Sequence, residues 1–309
     1  MARQVTVPST RERASAHDAD PAPAAARTPR RARSLLDGWG FLVVPLVAFL
    51  LVVFVLPLAF VLAQSFTEPE PGLQNYTDFF GSPVYLDVLA NTFWIAGMVT
   101  VATVALGFPY AYLMTLAGPF WRGVLMVAVL VPFWTSLLIR TFAWVLMLSD
   151  TGVINTVLRD IGVISEPLPL LRNLTGVLIG MSQVMLPFAV LPMYATMRGV
   201  DRRLVQAAEG LGATPLQAFW RVYAPLTAPG VAAATLLVFV ASLGFYVTPA
   251  LLGGPGDVMI GELIAKQLSG VLRWGFASAL AVALLVVTGL LLALVARFVD
   301  LRRMLGGAR

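Results

Sequence analysis

The sequence predicts an all-α, polytopic membrane protein with six transmembrane helices. Of its 309 residues, 59% are hydrophobic and only 12% are charged, whereas charged residues make up about a quarter of an ordinary soluble domain. Six apolar runs are each long enough to cross a hydrocarbon core of about 30 Å as a helix, which takes about 20 residues. Because the runs are continuously apolar, helices are favoured over a membrane β-barrel, whose strands alternate over about ten residues.

The spans are placed by the length of the apolar runs, since each helical residue adds about 1.5 Å along the membrane normal. The predicted spans are Phe41–Ala63, Val88–Leu116, Gly123–Leu148, Leu174–Met197, Val231–Leu252 and Phe276–Ala296.

Prolines inside the runs predict kinked helices around a cavity. The carbonyls that a proline leaves free are tolerated in a membrane where neighbouring helices or water satisfy them. The alternative is that these prolines only reflect the higher frequency of proline in spanning helices. They are Pro57, Pro109, Pro132, Pro187 and Pro192.

Basic residues orient the predicted spans. Sixteen of the 21 Lys and Arg residues lie in the two terminal tails, the turn at Pro119–Arg122 and a polar segment that begins at Arg198, whereas four lie in the loops on the opposite side. Cytoplasmic flanks of membrane proteins are enriched in Lys and Arg. Both termini and the polar segment are therefore predicted to be cytosolic, which agrees with an even number of spans.

Residues 1–37 are predicted to form a disordered cytosolic N-terminal tail. Proline, alanine, arginine and serine dominate this segment, and such a composition cannot bury enough apolar surface to fold. Residues 38–300 are predicted to form the membrane domain, and residues 301–309 a cytosolic C-terminal tail. A cleaved secretory signal is the alternative, since Val61-Leu62-Ala63 resembles a cleavage site, but the apolar run is longer than a signal core.

The residue types that carry most enzyme chemistry are missing from the predicted spans. The sequence has no cysteine, its only histidine is His17, and no predicted span contains Asp or Glu. Thiolate metal sites and intramembrane carboxylate relays are therefore excluded. We predict a non-catalytic protein that binds no cofactor, metal or nucleic acid, and any transport has to draw its energy from a partner.

A polar segment, residues 198–229, separates the fourth and fifth predicted spans. Asp201 is a suitable N-cap for a short helix that glycines 210 and 212 end. Thr214-Pro215-Leu216-Gln217 has the form of a capping box with proline at the first helical position, so a second helix is predicted through Val222. The small residues of the first helix and of the turn that follows it would let another protein dock closely. The alternative is an amphipathic connector that lies on the membrane surface.

Gln206-Ala207-Ala208, Gly212 and Ala224-Pro225 resemble the EAA loop of ABC importer permeases, a pattern of Glu-Ala-Ala, three residues, Gly and, further on, Leu-Pro. The resemblance implies a type I permease bundle whose cytosolic coupling helices, between helices 4 and 5, dock into a groove of an ATPase subunit. The residues implied in this coupling are Gln206, Ala207, Ala208, Glu209, Gly212, Phe219 and Pro225.

Two positions depart from the family pattern, because Gln206 replaces the Glu and Ala224 replaces the Leu. Loss of the acid removes one partner of a salt bridge to the ATPase, although Gln still forms hydrogen bonds. Glu209, three residues later on the same helical face, is the candidate for supplying the missing charge.

Further segments are similar to the first permease subunit of spermidine/putrescine importers, namely residues 132–141, 166–171, 186–188, 191–195 and 248–254. The resemblance implies inward transport of spermidine, putrescine or a related amine by alternating access. Relatives of this subgroup also carry amino-phosphonates and opines. An ion-coupled secondary carrier, or a channel or scaffold subunit, is the alternative.

The same resemblance implies a set of partners at the bacterial inner membrane. These are membrane lipid, a second homologous permease subunit, a dimer of cytosolic ABC ATPases that bind ATP and Mg, and a periplasmic or lipid-anchored substrate-binding protein.

Arg140 is the only charge inside a predicted span. Such a charge costs at least about 2.5 kcal/mol to insert, so it is expected to face protein or water. Two interpretations stay open: a structural pin that bonds carbonyls freed by nearby prolines, and a residue that lines the outer half of a translocation pathway. Aromatic side chains can pass an ammonium group by weak cation–π contacts. The candidate pathway residues are Phe133, Trp134, Arg140, Trp144, Phe245 and Tyr246, with Phe142 as a further aromatic.

Overall fold

The structure is a computed structural model that describes residues 40–298. The predicted tails, residues 1–37 and 301–309, lie outside the described residues. The described residues form thirteen α-helices. In chain order these are α1 Gly40–Thr67, α2 Gln74–Gly81, α3 Pro83–Leu116, α4 Pro119–Leu130, α5 Leu137–Leu148, α6 Val153–Asp160, α7 Leu174–Arg198, α8 Arg202–Gly210, α9 Pro215–Ala218, α10 Ala224–Leu243, α11 Val247–Leu252, α12 Ile260–Lys266 and α13 Trp274–Phe298. A 3₁₀ turn covers Val131–Trp134, and π-helical turns cover Phe219–Tyr223 and Gln267–Val271.

Six helical segments of the described residues are long and apolar enough to cross a membrane. The chain divides into two compact units at a boundary inside α1, between Val55 and Leu56, and five of the six spans lie wholly in the second unit. The predicted all-α class with six spans is confirmed. The observed spans are Val43–Thr67, Pro83–Leu116, Leu137–Asp160, Leu174–Arg198, Pro215–Leu243 and Trp274–Leu294.

The third predicted span, Gly123–Leu148, is wrong as a continuous helix. α4 ends at Leu130, a 3₁₀ turn carries Pro132, and Thr135 is extended before α5 begins. Proline has no N–H for the carbonyl four residues earlier, and its ring crowds that carbonyl, which breaks the helix. The run is therefore divided into a shorter apolar helix and the start of the observed third span. These segments are Pro119–Trp134 and Leu137–Asp160.

The fifth predicted span, Val231–Leu252, has both ends misplaced. The observed helix begins at Pro215, passes through a π-helical turn and ends at Leu243. Its start differs because the polar segment continues into the span as helix, which hydropathy alone does not detect. Its end differs because the backbone leaves helical geometry at Gly244, where ψ is 1°, and at Tyr246, where φ is −135°.

α7 is the central helix of the second unit and packs against both α3 and α10. Its buried side chains recur at helical spacing over most of its length, so the helix is covered on several sides. Among them are Val177, Met181, Met185, Ala189, Val190, Met193 and Met197.

Glycines allow the neighbouring helices to approach α7 closely. A Cβ atom on Gly107 of α3 would lie 3.1 Å from the Cβ of Ala189, and one on Gly230 of α10 would lie 2.5 Å from the Oγ1 of Thr196. Small residues at helix contacts are the usual means by which membrane helices pack tightly. α7 is therefore held closely between its two neighbours.

Candidate functional site

The polar segment contains a corner, Asp201–Ala218, which consists of α8, a glycine turn and α9. The Asp201 carboxylate accepts a hydrogen bond of 2.9 Å from the backbone N–H of Arg203 and so caps α8. Such a cap satisfies one of the N–H groups that a helix start leaves free. The predicted N-cap is confirmed.

The turn between α8 and α9 has the geometry that its residues predict. Gly212 has a φ of +91°, in the left-handed region that favours glycine. The Thr214 hydroxyl accepts from the N–H of Gln217 at 3.3 Å, and the Gln217 side-chain oxygen accepts from the N–H of Thr214 at 3.1 Å. This reciprocal pair is the predicted capping box.

The outer surface of the corner carries exposed apolar side chains next to small residues. Leu211 is 90% exposed, and Leu204 and Leu216 are each at least half exposed. Several large apolar groups exposed on one short segment indicate contact with another protein or with the membrane. Of the predicted coupling residues of α8 and the turn, Ala208 is half-buried and the others are exposed, namely Gln206, Ala207, Glu209 and Gly212.

Phe219, another predicted coupling residue, is less exposed than the leucines of this surface, and its part in coupling stays a prediction. Its ring is half-buried and lies 6.1 Å from the ring of Phe108, 5.9 Å from that of Tyr112 and 5.6 Å from that of Tyr223. The next residue, Trp220, is 64% exposed instead. Phe219 therefore fixes the start of the fifth span against α3.

Pro225, the last predicted coupling residue, is exposed and lies second in α10. It follows the π-helical turn, in which the N–H of Ala224 bonds to the carbonyl of Phe219, five residues earlier. A proline ring crowds the carbonyl four residues before it, here that of Arg221. The wider turn gives this carbonyl room, as π-bulges do inside α-helices.

A side chain of α8 ties the corner to α3. The guanidinium Nη2 of Arg202 donates a hydrogen bond to the carbonyl of Thr115, in the last turn of α3. Behind this contact lies a cleft of about 260 Å³. Gln206 and Glu209 border it, so both residues face the bundle as well as solvent. The cleft is also lined by Tyr112, Thr115, Leu116, Met197, Val200, Arg202, Val205, Pro215, Phe219 and Tyr223.

The candidate pathway residues lie at three breaks or short helices rather than in one cluster. Phe133 and Trp134 lie in the 3₁₀ turn, where the Phe133 ring packs 5.3 Å from that of Phe188 on α7 and Trp134 is 78% exposed. Phe245 and Tyr246 lie in the break between α10 and α11; the first packs against the core and the second is half exposed.

Arg140 lies on α5 and bonds backbone rather than an acid. Its Nη2 donates to the carbonyl of Thr135 at 3.3 Å, and its Nε is buried without a partner among residues 40–298. No carboxylate pairs with it in this part of the chain. The carbonyl that Pro132 leaves free is that of Ala128, four residues earlier, and not that of Thr135. Both interpretations of Arg140 therefore stay predictions.

Trp144 leads to a residue that the sequence reasoning missed. Its Nε1 lies 3.5 Å from the side-chain oxygen of Gln183, which is half-buried on α7. On the same side of α5, the hydroxyl of Thr141 lies 3.5 Å from that of Thr248 on α11. The predicted pathway residues are all charged or aromatic, yet an amide inside a span carries the same kind of signal, because polar groups there need partners.

The described helices contain no group of three or more His, Cys, Asp or Glu side chains that could hold a metal ion. The arrangement offers instead a close-packed helical bundle, an exposed corner at the start of the fifth span and a few polar groups inside the spans. These are the features of a multi-pass membrane transport component.

The chain belongs to the family of binding-protein-dependent transport system inner membrane components, whose sequence profile matches residues 104–304. The chain is 36% identical over 220 residues to the spermidine/putrescine transport system permease protein PotB of Haemophilus influenzae. The aligned region covers 71% of this chain and 77% of the relative. The chain is also 33% identical over 259 residues to PotB of Escherichia coli. This aligned region covers 81% of this chain and 94% of the relative. The resemblance found in the sequence is thereby confirmed.

The fold is shared with a solved transporter. A chain in the crystal structure of a bacterial alginate ABC transporter, in complex with an alginate pentasaccharide-bound periplasmic protein, matches with a TM-score of 0.67. The match covers 87% of this chain and 96% of that chain at 19% sequence identity. The predicted permease bundle is therefore the observed fold.

Proposed function

We propose that this chain is the transmembrane permease subunit of an ATP-driven ABC importer that moves spermidine, putrescine or a related small amine inward. The observation that carries the proposal is the 33% identity to E. coli PotB over 94% of that protein's length. Such coverage supports a function in the same class of permease.

The corner is the proposed point at which the ATPase acts. Its exposed leucines can make apolar contacts with a groove on the ATPase. Its small residues, Ala207 and Gly212, allow the walls of that groove to approach α8 closely. The bond from Arg202 to Thr115 supports transmission of the motion to α3. The cycle is alternating access: closure of an ATPase dimer around ATP and Mg tilts the bundle, and hydrolysis resets it.

The remaining partners and the orientation follow from the same proposal. The chain pairs with a second homologous permease and receives substrate from a periplasmic or lipid-anchored binding protein. The corner and both termini face the cytosol, which the strong bias of basic residues toward that side supports. This chain itself performs no catalysis.

A zwitterionic amine, such as an amino-phosphonate or an opine, is the second candidate substrate. Arg140 favours it, because its buried Nε has no partner and no carboxylate pairs with it among the described residues. A guanidinium is well suited to bind a phosphonate or carboxylate. A dication without an acidic group gains nothing from this side chain.

The test is uptake by the purified complex in proteoliposomes. The permease pair, its ATPase and candidate binding proteins are reconstituted together, and uptake of labelled spermidine and putrescine is followed with and without ATP. ATP-dependent uptake that also requires a binding protein is the expected result. Uptake driven by a proton or sodium gradient without the ATPase would show a secondary carrier. Binding-protein-stimulated ATP hydrolysis only with an amino-phosphonate or opine would establish the second candidate.

A further inference from the structure

Gln183 lies in the interior of the membrane-spanning part of the second unit. It is the tenth residue of α7, so it lies about 15 Å along a helix of about 37 Å. α7 is the most buried of the six spans, yet Gln183 itself is only half-buried. An amide at this depth is costly unless its polar atoms have partners.

Two carbonyl oxygens of Gln183 lack a full set of hydrogen-bond donors. The side-chain oxygen has only one donor among the described residues, the Nε1 of Trp144 at 3.5 Å, and a carbonyl oxygen accepts two hydrogen bonds. The backbone carbonyl lacks its helical donor, because the residue four positions later is Pro187, which has no N–H. None of the described side chains donates to it instead.

The neighbouring helix places Gln183 beside the break in the fifth span. A Cβ atom on Gly180, one turn earlier, would lie 2.9 Å from the Cγ2 of Thr248 on α11. α11 is therefore pressed against α7 next to Gln183, and it begins directly after Phe245 and Tyr246. In transporters, substrate sites lie near the midplane, typically beside a discontinuous spanning helix. Here the discontinuous helix is the fifth span, whereas α7 is continuous through Gln183.

We propose that Gln183 is a substrate-contacting residue, and that its side-chain and backbone oxygens together receive the ammonium group of the substrate as it crosses the middle of the membrane. This inference rests on the proposed function. An ammonium group has three donors and no acceptor, which matches a pair of carbonyl oxygens. The polyamines and the amino-phosphonates both carry this group.

Neutral oxygens suit passage better than a carboxylate does. A pathway has to bind its substrate strongly enough to admit it and weakly enough to release it. Trp144 orients the amide of Gln183 through its Nε1–H, so we assign it a positioning role rather than a substrate contact.

The side-chain oxygen is tested with Gln183→Met, which keeps the shape of the residue but removes the amide. The probes are labelled spermidine and putrescine, and uptake and ATP hydrolysis are measured in the same proteoliposomes. Loss of a hydrogen bond to a charged group is expected to lower uptake per ATP hydrolysed roughly tenfold, while stimulation of hydrolysis by the loaded binding protein changes less than twofold. Gln183→Asn, which retains a carbonyl, is expected to recover part of the uptake. Gln74→Met, at an exposed glutamine that begins α2, is the matched control.

The backbone oxygen is tested with Pro187→Ala, which restores the missing N–H donor. We expect uptake per ATP to fall several-fold, whereas Pro192→Ala, at the other proline inside α7, leaves it unchanged. Unchanged uptake by Gln183→Met, or a parallel fall in uptake and hydrolysis by an inserted variant, overturns this inference and leaves the proposed function standing. Unchanged uptake by the Pro187→Ala variant would show that the backbone oxygen does not bind the substrate. Failure of the wild-type complex to take up either amine overturns the proposed polyamine substrate. The comparison of Gln183→Met with the wild type is then made with a labelled amino-phosphonate, and unchanged uptake there overturns this inference.

Discussion

The guanidinium of Arg202 donates a hydrogen bond to the backbone carbonyl of Thr115 and so joins the first turn of α8 to the last turn of α3. Carbonyls in the last turn of a helix have no partner within it, and a cation there is favoured by the helix dipole. A force applied to α8 therefore reaches α3 directly, as well as along the chain through α7.

Arg202→Ala is expected to lower uptake about fivefold while the protein still inserts and assembles with the ATPase. The reason is loss of one charge-assisted hydrogen bond, which contributes about 1 kcal/mol once its exposed position is considered. Transport and ATP hydrolysis in proteoliposomes measure the effect. Arg203→Ala removes the neighbouring exposed arginine and serves as the control; equal losses in both variants would contradict a specific role for the bond to Thr115.

Gly212→Trp is expected to abolish uptake without loss of membrane insertion. A Cβ at Gly212 meets no atom within 4 Å, so the bundle itself has room for a side chain, but the bulk would stand on the proposed docking surface. The left-handed backbone adds strain of about 1–2 kcal/mol for any other residue. Gly212→Ala carries the same strain without the bulk and is expected to keep most of the uptake. Normal uptake by Gly212→Trp would refute the docking proposal.

Glu209→Gln is expected to reduce uptake, and Gln206→Glu in the same chain is expected to restore it. Both side chains are exposed and lie one turn apart on α8, so an acid at either position can serve the same contact with the ATPase. A double-mutant cycle of uptake rates measures the coupling between them. Additive effects of the two substitutions would show that Glu209 does not replace the acid that the family pattern places at position 206.

Gly230→Ala is expected to destabilise the bundle by about 1–3 kcal/mol, as overpacking of a close contact does. The new Cβ would lie 2.5 Å from the Oγ1 and 2.6 Å from the Cβ of Thr196, so α10 would have to move away from α7. Thermal unfolding in detergent measures the change. Gly289→Ala, where a Cβ meets nothing within 4 Å, is expected to have almost no effect. Similar unfolding midpoints for both variants would argue against a close α7–α10 contact.

Local signals in the sequence predicted the caps of the corner correctly. Asp201, Thr214 and Gln217 satisfy N–H groups a few residues away, and such bonds depend on little beyond their own segment. The six spans were predictable because length and hydropathy determine what crosses a bilayer. The bounds of two spans were wrong, since hydropathy does not register that Pro132 ends a helix within an apolar run, or that helix precedes the apolar part of the fifth span.

Contacts between distant segments account for the remaining differences. The half-buried position of Phe219 depends on the rings of Phe108 and Tyr112, about a hundred residues earlier, which pack against it. Gln183 is a candidate substrate contact because α5 places Trp144 within hydrogen-bonding distance of its side chain. Neither contact follows from spacing along the chain.

Because of the π-helical turn at Phe219–Tyr223, the direction in which the corner points depends on how many residues the turn contains as well as on which residues they are. An α-helix advances about 100° per residue, so deletion of a single residue from this turn would rotate α9 through roughly that angle relative to α10. The leucines of the corner would then face elsewhere although none of them had changed. The evolution of this segment is therefore expected to accept many substitutions and very few changes of length.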